Sequence, residues 1–180
     1  MYVDWRKLCD IFRCAMMDFL LKIQHSGFCE WVRQSDSIFS YSGILLLHTI
    51  GMGFVVGVNA CIDLRILGFA PAVRLSGMEK FFPVLWLGFW VNAATGTILL
   101  AIDVANKLAN VDFYVKMIFI ALAIINLRMI KTNVFRDPSI DKAPLSGKAK
   151  ILALTSIIFW IGAITSGRLL AYVGPGSGAK

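Results

Sequence analysis

The chain has 180 residues, 58% of them apolar and 16% charged, with 18 Lys and Arg against 11 Asp and Glu. A water-soluble domain carries about 45–50% apolar and about 25% charged residues. This chain has too few charges to coat a globule in water, which argues against a soluble enzyme. The net charge of +7 sits in tails and loops beside apolar runs, where anionic lipid and membrane topology account for it, so nucleic acid is not an expected partner.

The first residues, Met1 through Lys7, mix both charges and precede no clean apolar run with a small-residue cleavage site, so no secretory signal is expected. Leu8, Ile11, Phe12, Ala15, Met16, Phe19, Leu20 and Ile23 recur at three-and-four spacing, which predicts an amphipathic helix over 8–24. It is too polar to span and is expected to lie at the membrane interface or dock on the bundle. Phe28 to Ser37 reads as a polar linker, with Trp31 suited to the interface. Cys9, Cys14, Cys29 and Cys61 make no CxxC or CxxCH pattern, so thiolate metal sites and covalent heme find no support. They read as free apolar side chains, or as one bridge among the first three.

Four apolar blocks follow, each about as long as the ~20 residues a bilayer crossing needs. Span one covers about 40–62 and carries His48 and Asn59. Gly53 and Gly57 within it form a GxxxG pair, which predicts close approach of a neighbouring helix. It ends in Asp63-Leu64-Arg65, where the two charges are expected to pair or hold topology. Span two covers about 82–102, with Pro83 in its first turn, where a missing N–H costs least, and Asn92, Thr95 and Asp103 further along. A short loop with Lys107, Asn110 and Asp112 leads to span three, about 113–130, with Lys116, Asn126 and Arg128. Span four covers about 151–172, with Trp160 in its middle and Arg168 near its end.

The expected architecture is therefore an all-α membrane protein. Residues 1–38 are an interfacial helix and linker, 39–173 an antiparallel four-helix transmembrane bundle, and 174–180 a flexible tail. Helices rather than barrel strands follow from the block lengths and from the need to satisfy every backbone group in lipid. Both termini share one side. Arg65, Arg74, Lys80, Arg128, Lys131, Arg136, Lys142, Lys148 and Lys150 lie in the loops on the other. The terminal side also has nine Lys and Arg, but Lys116 and Arg168 lie within spans and Arg6, Lys7 and Arg13 are far from any span. The near-membrane count therefore favours those loops as cytoplasmic and the termini as periplasmic in a bacterial inner membrane.

Ionisable groups within spans are costly, and each calls for a partner or a task. At about 1.5 Å per residue, His48 lies roughly 12 Å inside span one, Lys116 about 5 Å inside span three and Arg168 about 6 Å from the end of span four. With Asp103 at the end of span two and His25 closing the amphipathic helix, all five fall on the terminal side. His48 has two readings, a hydrogen bond to a neighbouring helix or a heme or metal ligand. Lys116 and Arg168 either snorkel to headgroups or face an anion, and His25 is either an exposed interfacial residue or a second ligand. Together, an imidazole below basic groups suits an apolar anion such as heme b, whose iron takes His48 and whose propionates take Arg or Lys. A quinone or an anionic lipid suits nearly as well. HExxH, P-loop, GxSxG and EF-hand patterns are absent, and no polar stripe for conduction is evident.

His48 with Asp63-Leu64-Arg65, the Phe113-Tyr114-Val115-Lys116 opening of span three and Gly167-Arg168 through Tyr172 resemble a bacterial family of small four-span membrane proteins of unknown function, over about 40–173. More distantly, the layout is similar to the membrane-embedded protoporphyrinogen oxidase and to copper-resistance protein D-like bundles. The oxidase resemblance implies a heme-associated four-helix core with functional residues at His48 and Lys116. The extra N-terminal helix departs from that pattern. Three functions therefore stand. One is a b-type heme or quinone protein acting in electron transfer or porphyrin oxidation. Another is a non-catalytic subunit beside other membrane subunits or in a homo-oligomer. The third, weaker because the chain has only two His and its seven Met are mostly not in MxxM-type spacing, is a transporter or copper-handling protein.

Overall fold

The computed structural model describes residues 5–35, 37–137, 140–141 and 145–172, with 5–14 and 171 as backbone alone. The expected tail at 174–180 and the side chains of Cys9 and Cys14 lie outside the described residues. Helix α1 covers Trp5–Gln24 and α2 Gly27–Gln34; α3 covers Tyr41–Leu67 and, after a 3-10 helix at Ser76–Phe81, α4 covers Phe82–Ile102. Then come α5 (Val104–Ala109), α6 (Val111–Asn133) and α7 (Gly147–Tyr172). Four segments are long and apolar enough to cross a membrane: Tyr41–Leu67, Ser76–Ile102, Val111–Asn133 and Gly147–Leu170. The protein is a multi-pass, all-α membrane bundle, and its outward faces contact lipid.

The spanning helices run longer than their apolar cores. Helix α3 continues through Asp63, Leu64 and Arg65 and stops at Gly68, whose φ of 106° is open to glycine at little cost. Two segments expected as loops are helical. Within the predicted linker, α2 is capped by the Ser26 side chain, which accepts from the Cys29 N–H. It buries Cys29 and Val32 against Ile44, Leu99 and Ile102. Cys29 is a free thiol. After α4, Asp103 turns the chain directly into α5. Helix α1 packs against α4 and α5, and Met16 and Phe19 on it stay exposed.

Helix α3 packs against both α4 and α7, and α6 packs against α7. Without a hydrophobic drive between helices in lipid, such contacts depend on close packing. The tightest approach is at Gly51 and Gly88. A Cβ on Gly51 would stand 2.9 Å from the Gly88 carbonyl oxygen, and one on Gly88 2.8 Å from the Phe54 Cβ. The expected Gly53–Gly57 approach does not occur, since nothing lies within 4 Å of a Cβ at either position. Those two glycines face away from α4 and α7. The helical period selects Gly51 instead, three residues from His48 on the α4-facing side.

The two ends of the bundle differ. At the loop end, Ile62, Ile66, Leu75, Phe82, Leu127 and Ile130 form a filled core, with Phe82 edge-on to Phe135 at 5.1 Å. Asp141 Oδ1 accepts from the Leu75 N–H at 2.8 Å and the Ser76 N–H at 3.3 Å, tying the two loops of that side together. The loop end also has a cavity of about 500 Å³, but it is bordered by the end of α6, Val134 and the start of α7, whereas the terminal end holds a hollow among all four spanning helices.

Candidate functional site

The hollow is a cavity of about 420 Å³, lined by Tyr41, Leu45 and His48 of α3, Gly96, Leu99, Leu100 and Ile102 of α4, Asp103, Lys107 of α5, Phe113 and Lys116 of α6, and Gly167 and Leu170 of α7. Its volume is in the range of small-molecule sites. All four spanning helices and the short helix after α4 contribute to its wall.

His48 is the most tightly positioned of these residues. Its Nδ1 lies 3.1 Å from the Asn92 carbonyl oxygen and 3.1 Å from Thr95 Oγ1, while Asn92 Nδ2 donates back to the His48 carbonyl at 2.7 Å. Thr95 spends its hydroxyl proton on the Val91 carbonyl at 2.6 Å. Both neighbours of Nδ1 are therefore acceptors, and Nδ1 must carry the proton. The neutral ring then keeps its lone pair on Nε2, which has no hydrogen bond among the described residues. Gly96 makes room beside it, since a Cβ there would stand 3.1 Å from His48 Cε1.

Lys116 lies along Gly167, where a Cβ would be 3.6 Å from its Cδ and Cε. It is half-buried and makes no ion pair among the described residues. It also borders a smaller void of about 30 Å³, shared with Asn92, Ile120 and Trp160. Lys107 Nζ donates to the Leu99 carbonyl at 2.7 Å. Burial holds its ammonium below the usual lysine range, and the nearby Asp103 carboxylate partly opposes this. Asp103 itself accepts from Asn106 Nδ2 at 2.8 Å. Two lysines and one carboxylate line the wall, so the cavity favours an anion.

His48, Asp103 and Lys116 thus share one cavity. Arg168 is exposed and does not line it, and His25 stands 4.0 Å from the Glu30 carboxylate on the surface. The helical turn carries Gly167 and Leu170 inward and turns Arg168 out. Asp63 and Arg65, expected to pair or to hold topology, do not pair. Asp63 is fully buried, while Arg65 reaches out to the carbonyls of Val73 at 2.5 Å and Pro71 at 3.3 Å. Lys107 was not anticipated as a wall residue. Its i, i+4 spacing from Asp103 is the one sign of it in the sequence, and that sign has meaning only if 104–109 is helical.

The chain matches no protein-family model, no curated protein and no solved structure.

Proposed function

We propose that the terminal-side cavity binds an amphipathic redox ligand, heme b foremost, whose iron His48 Nε2 would hold. The supporting observation is the His48–Asn92 pair. A metal-binding imidazole almost always donates its other N–H to a carbonyl or carboxylate, which sets both tautomer and orientation, and His48 has that arrangement. The leucines and Phe113 supply apolar walls for a macrocycle, and Lys107 and Lys116 supply cations for its carboxylates. When bound, the heme would supply one-electron chemistry. The chain's own residues hold the imidazole, orient the carboxylates and exclude water. Arg168 and His25, both outside the cavity wall, have no part in this reading, and Asp103 limits the positive charge beside the lysines.

A visible absorption spectrum of the detergent-solubilised protein, before and after dithionite and after hemin titration, tests it. A Soret band that His48→Ala removes is expected. No band at any hemin level, with quinone extracted in fixed ratio to the protein, would replace heme by a quinone headgroup in the same cavity. The resemblance to the porphyrin oxidase points the same way. The same reading has a bacterial inner membrane, both termini on the periplasmic side and the cavity opening there. A phosphatase fusion after residue 180 that is inactive would reverse the orientation.

A second reading has its own support. Gly53 and Gly57 leave a thin outward strip on α3, suited to a helix of another membrane subunit or of a second copy. Co-purification of a stoichiometric partner, lost in Gly53→Leu, with function intact in His48→Ala, would favour an accessory subunit over a heme protein.

A further inference from the structure

A second polar group lies at the other end of the bundle. Asp63 sits fifteen residues after His48 on α3, about 22 Å along the helix, and it, Asn59 and Ser156 are all fully buried. Asn59 Nδ2 donates to Asp63 Oδ2 at 2.5 Å and to Ser156 Oγ at 2.6 Å. Asp63 Oδ1 and Asn59 Oδ1 are buried with no hydrogen-bond partner among the described residues.

Among the described residues, no cation neutralises this carboxyl. On α3, Arg65 is engaged with the loop carbonyls. Helix α4 has no ionisable side chain between Phe82 and Ile102. On α6, Arg128 lies over the Trp86 ring at 6.0 Å and Lys131 over the Phe82 ring at 5.1 Å. Lys148 and Lys150 of α7, and Glu79 and Lys80 of the 3-10 helix, are exposed. None forms an ion pair with Asp63 among the described residues. An ionised carboxylate buried without a counter-charge is so costly that the group takes up a proton or a cation instead. The place between Asp63 Oδ2 and Ser156 Oγ is filled by the Asn59 amide donor, where a metal ion would need an oxygen ligand. That leaves the proton.

We propose that Asp63, with Asn59 and Ser156, forms a proton-binding site within the membrane. The proton comes from water, an O–H bond forms at Asp63 Oδ1, and the carboxylate charge is lost; release reverses both. Asn59 keeps Oδ2 as its acceptor in either state and Ser156 fixes the Asn59 amide. The site gives the bundle a titratable group at the end opposite the cavity, whatever the cavity holds.

Infrared difference spectroscopy of the full chain in lipid vesicles, titrated with pH, tests this. A protonated-carboxyl C=O band is expected in the wild type. It should be lost as pH is raised, shift in Ser156→Ala and vanish in Asp63→Asn. If Asp63→Asn does not assemble, the wild type labelled with carboxyl-¹³C aspartate reports instead, and the band must move by the isotope shift. Absence of an aspartic acid band at every pH, or its persistence in an assembled Asp63→Asn, overturns the proposal. A band that Na⁺ but not choline removes at fixed pH also overturns it, because the ligand is then a metal cation.

Discussion

His48 and Asn92 bond each other twice across the α3–α4 contact: the imidazole Nδ1–H donates to the Asn92 carbonyl at 3.1 Å, and the Asn92 side-chain amide donates to the His48 carbonyl at 2.7 Å. The pair locks one helix to the other a single turn from the Gly51–Gly88 approach. It also leaves Nε2 as the unbonded nitrogen of a residue on the cavity wall.

Loosening the imidazole should act on ligand binding more than on the fold. The Asn92 carbonyl beside Nδ1 is backbone and survives any substitution at 92, so the acceptor to remove is the Thr95 hydroxyl. Thr95→Val keeps the residue's size, and we expect hemin affinity to fall about 10-fold, the low end of the cost of losing a group that orients a ligand, measured by Soret titration. An unchanged affinity would count against His48 as the ligating group.

The helix contact itself has no room for a methyl group. Gly51→Ala or Gly88→Ala should destabilise the bundle by about 1–3 kcal/mol, the cost of overpacking, since the obstructing atoms include backbone that cannot swing away. Gly53→Ala, with nothing within 4 Å, should be neutral or stabilising by up to about 1 kcal/mol. Thermal unfolding in detergent compares the four forms.

Lys116 should recognise carboxylates. Hemin and its dimethyl ester are expected to differ in affinity for the wild type and to differ less for Lys116→Gln. The change in that difference isolates the ammonium–carboxylate interaction, as in a double-mutant cycle. Equal discrimination in both proteins would assign the ammonium to headgroups.

Lys107 makes stability depend on pH in the alkaline range. Its folded pKa lies below the unfolded value because its side chain is buried. Between the two values the unfolded chain binds more protons, so stability rises with pH. The penalty is complete below the folded pKa and gone above the ordinary lysine range. Lys107→Gln should flatten this rise, read as melting temperature against pH.

Asp141 works in the opposite sense at acid pH. Hydrogen bonds from Ser76, by side chain and backbone, and from the Leu75 N–H hold its carboxyl below the usual carboxylate range. Its contribution is present above the unfolded pKa and disappears as pH falls through the lower, folded one. Asp141→Ala should abolish hydrogen-exchange protection of the Leu75 and Ser76 amides at neutral pH, and acid should do the same to the wild type.

The membrane architecture was legible because it depends on summed hydropathy over about twenty residues, which needs no knowledge of neighbours. Span two matched at 82–102 for that reason. The others were read short. Asp63 looked like a helix end, yet α3 runs on to Leu67, because Asn59 and Ser156 accommodate the carboxyl inside. That accommodation comes from α7, ninety-three residues further along the chain, and local pattern cannot supply it. Helix α2 was read as a linker because only eight residues form it and its apolar side finds its partners on α3 and α4.

Composition and spacing alone determined that this chain crosses a membrane four times as helices, since burial in lipid tolerates few alternatives. Rotation of each helix about its axis was decided by packing. It turned Lys116 and Gly167 inward and Arg168 outward, chose Gly51 over Gly53 for the close contact, and separated Asp63 from Arg65. In lipid both faces of a spanning helix are apolar, so hydropathy cannot rank them. Only the fit of one helix surface against another can.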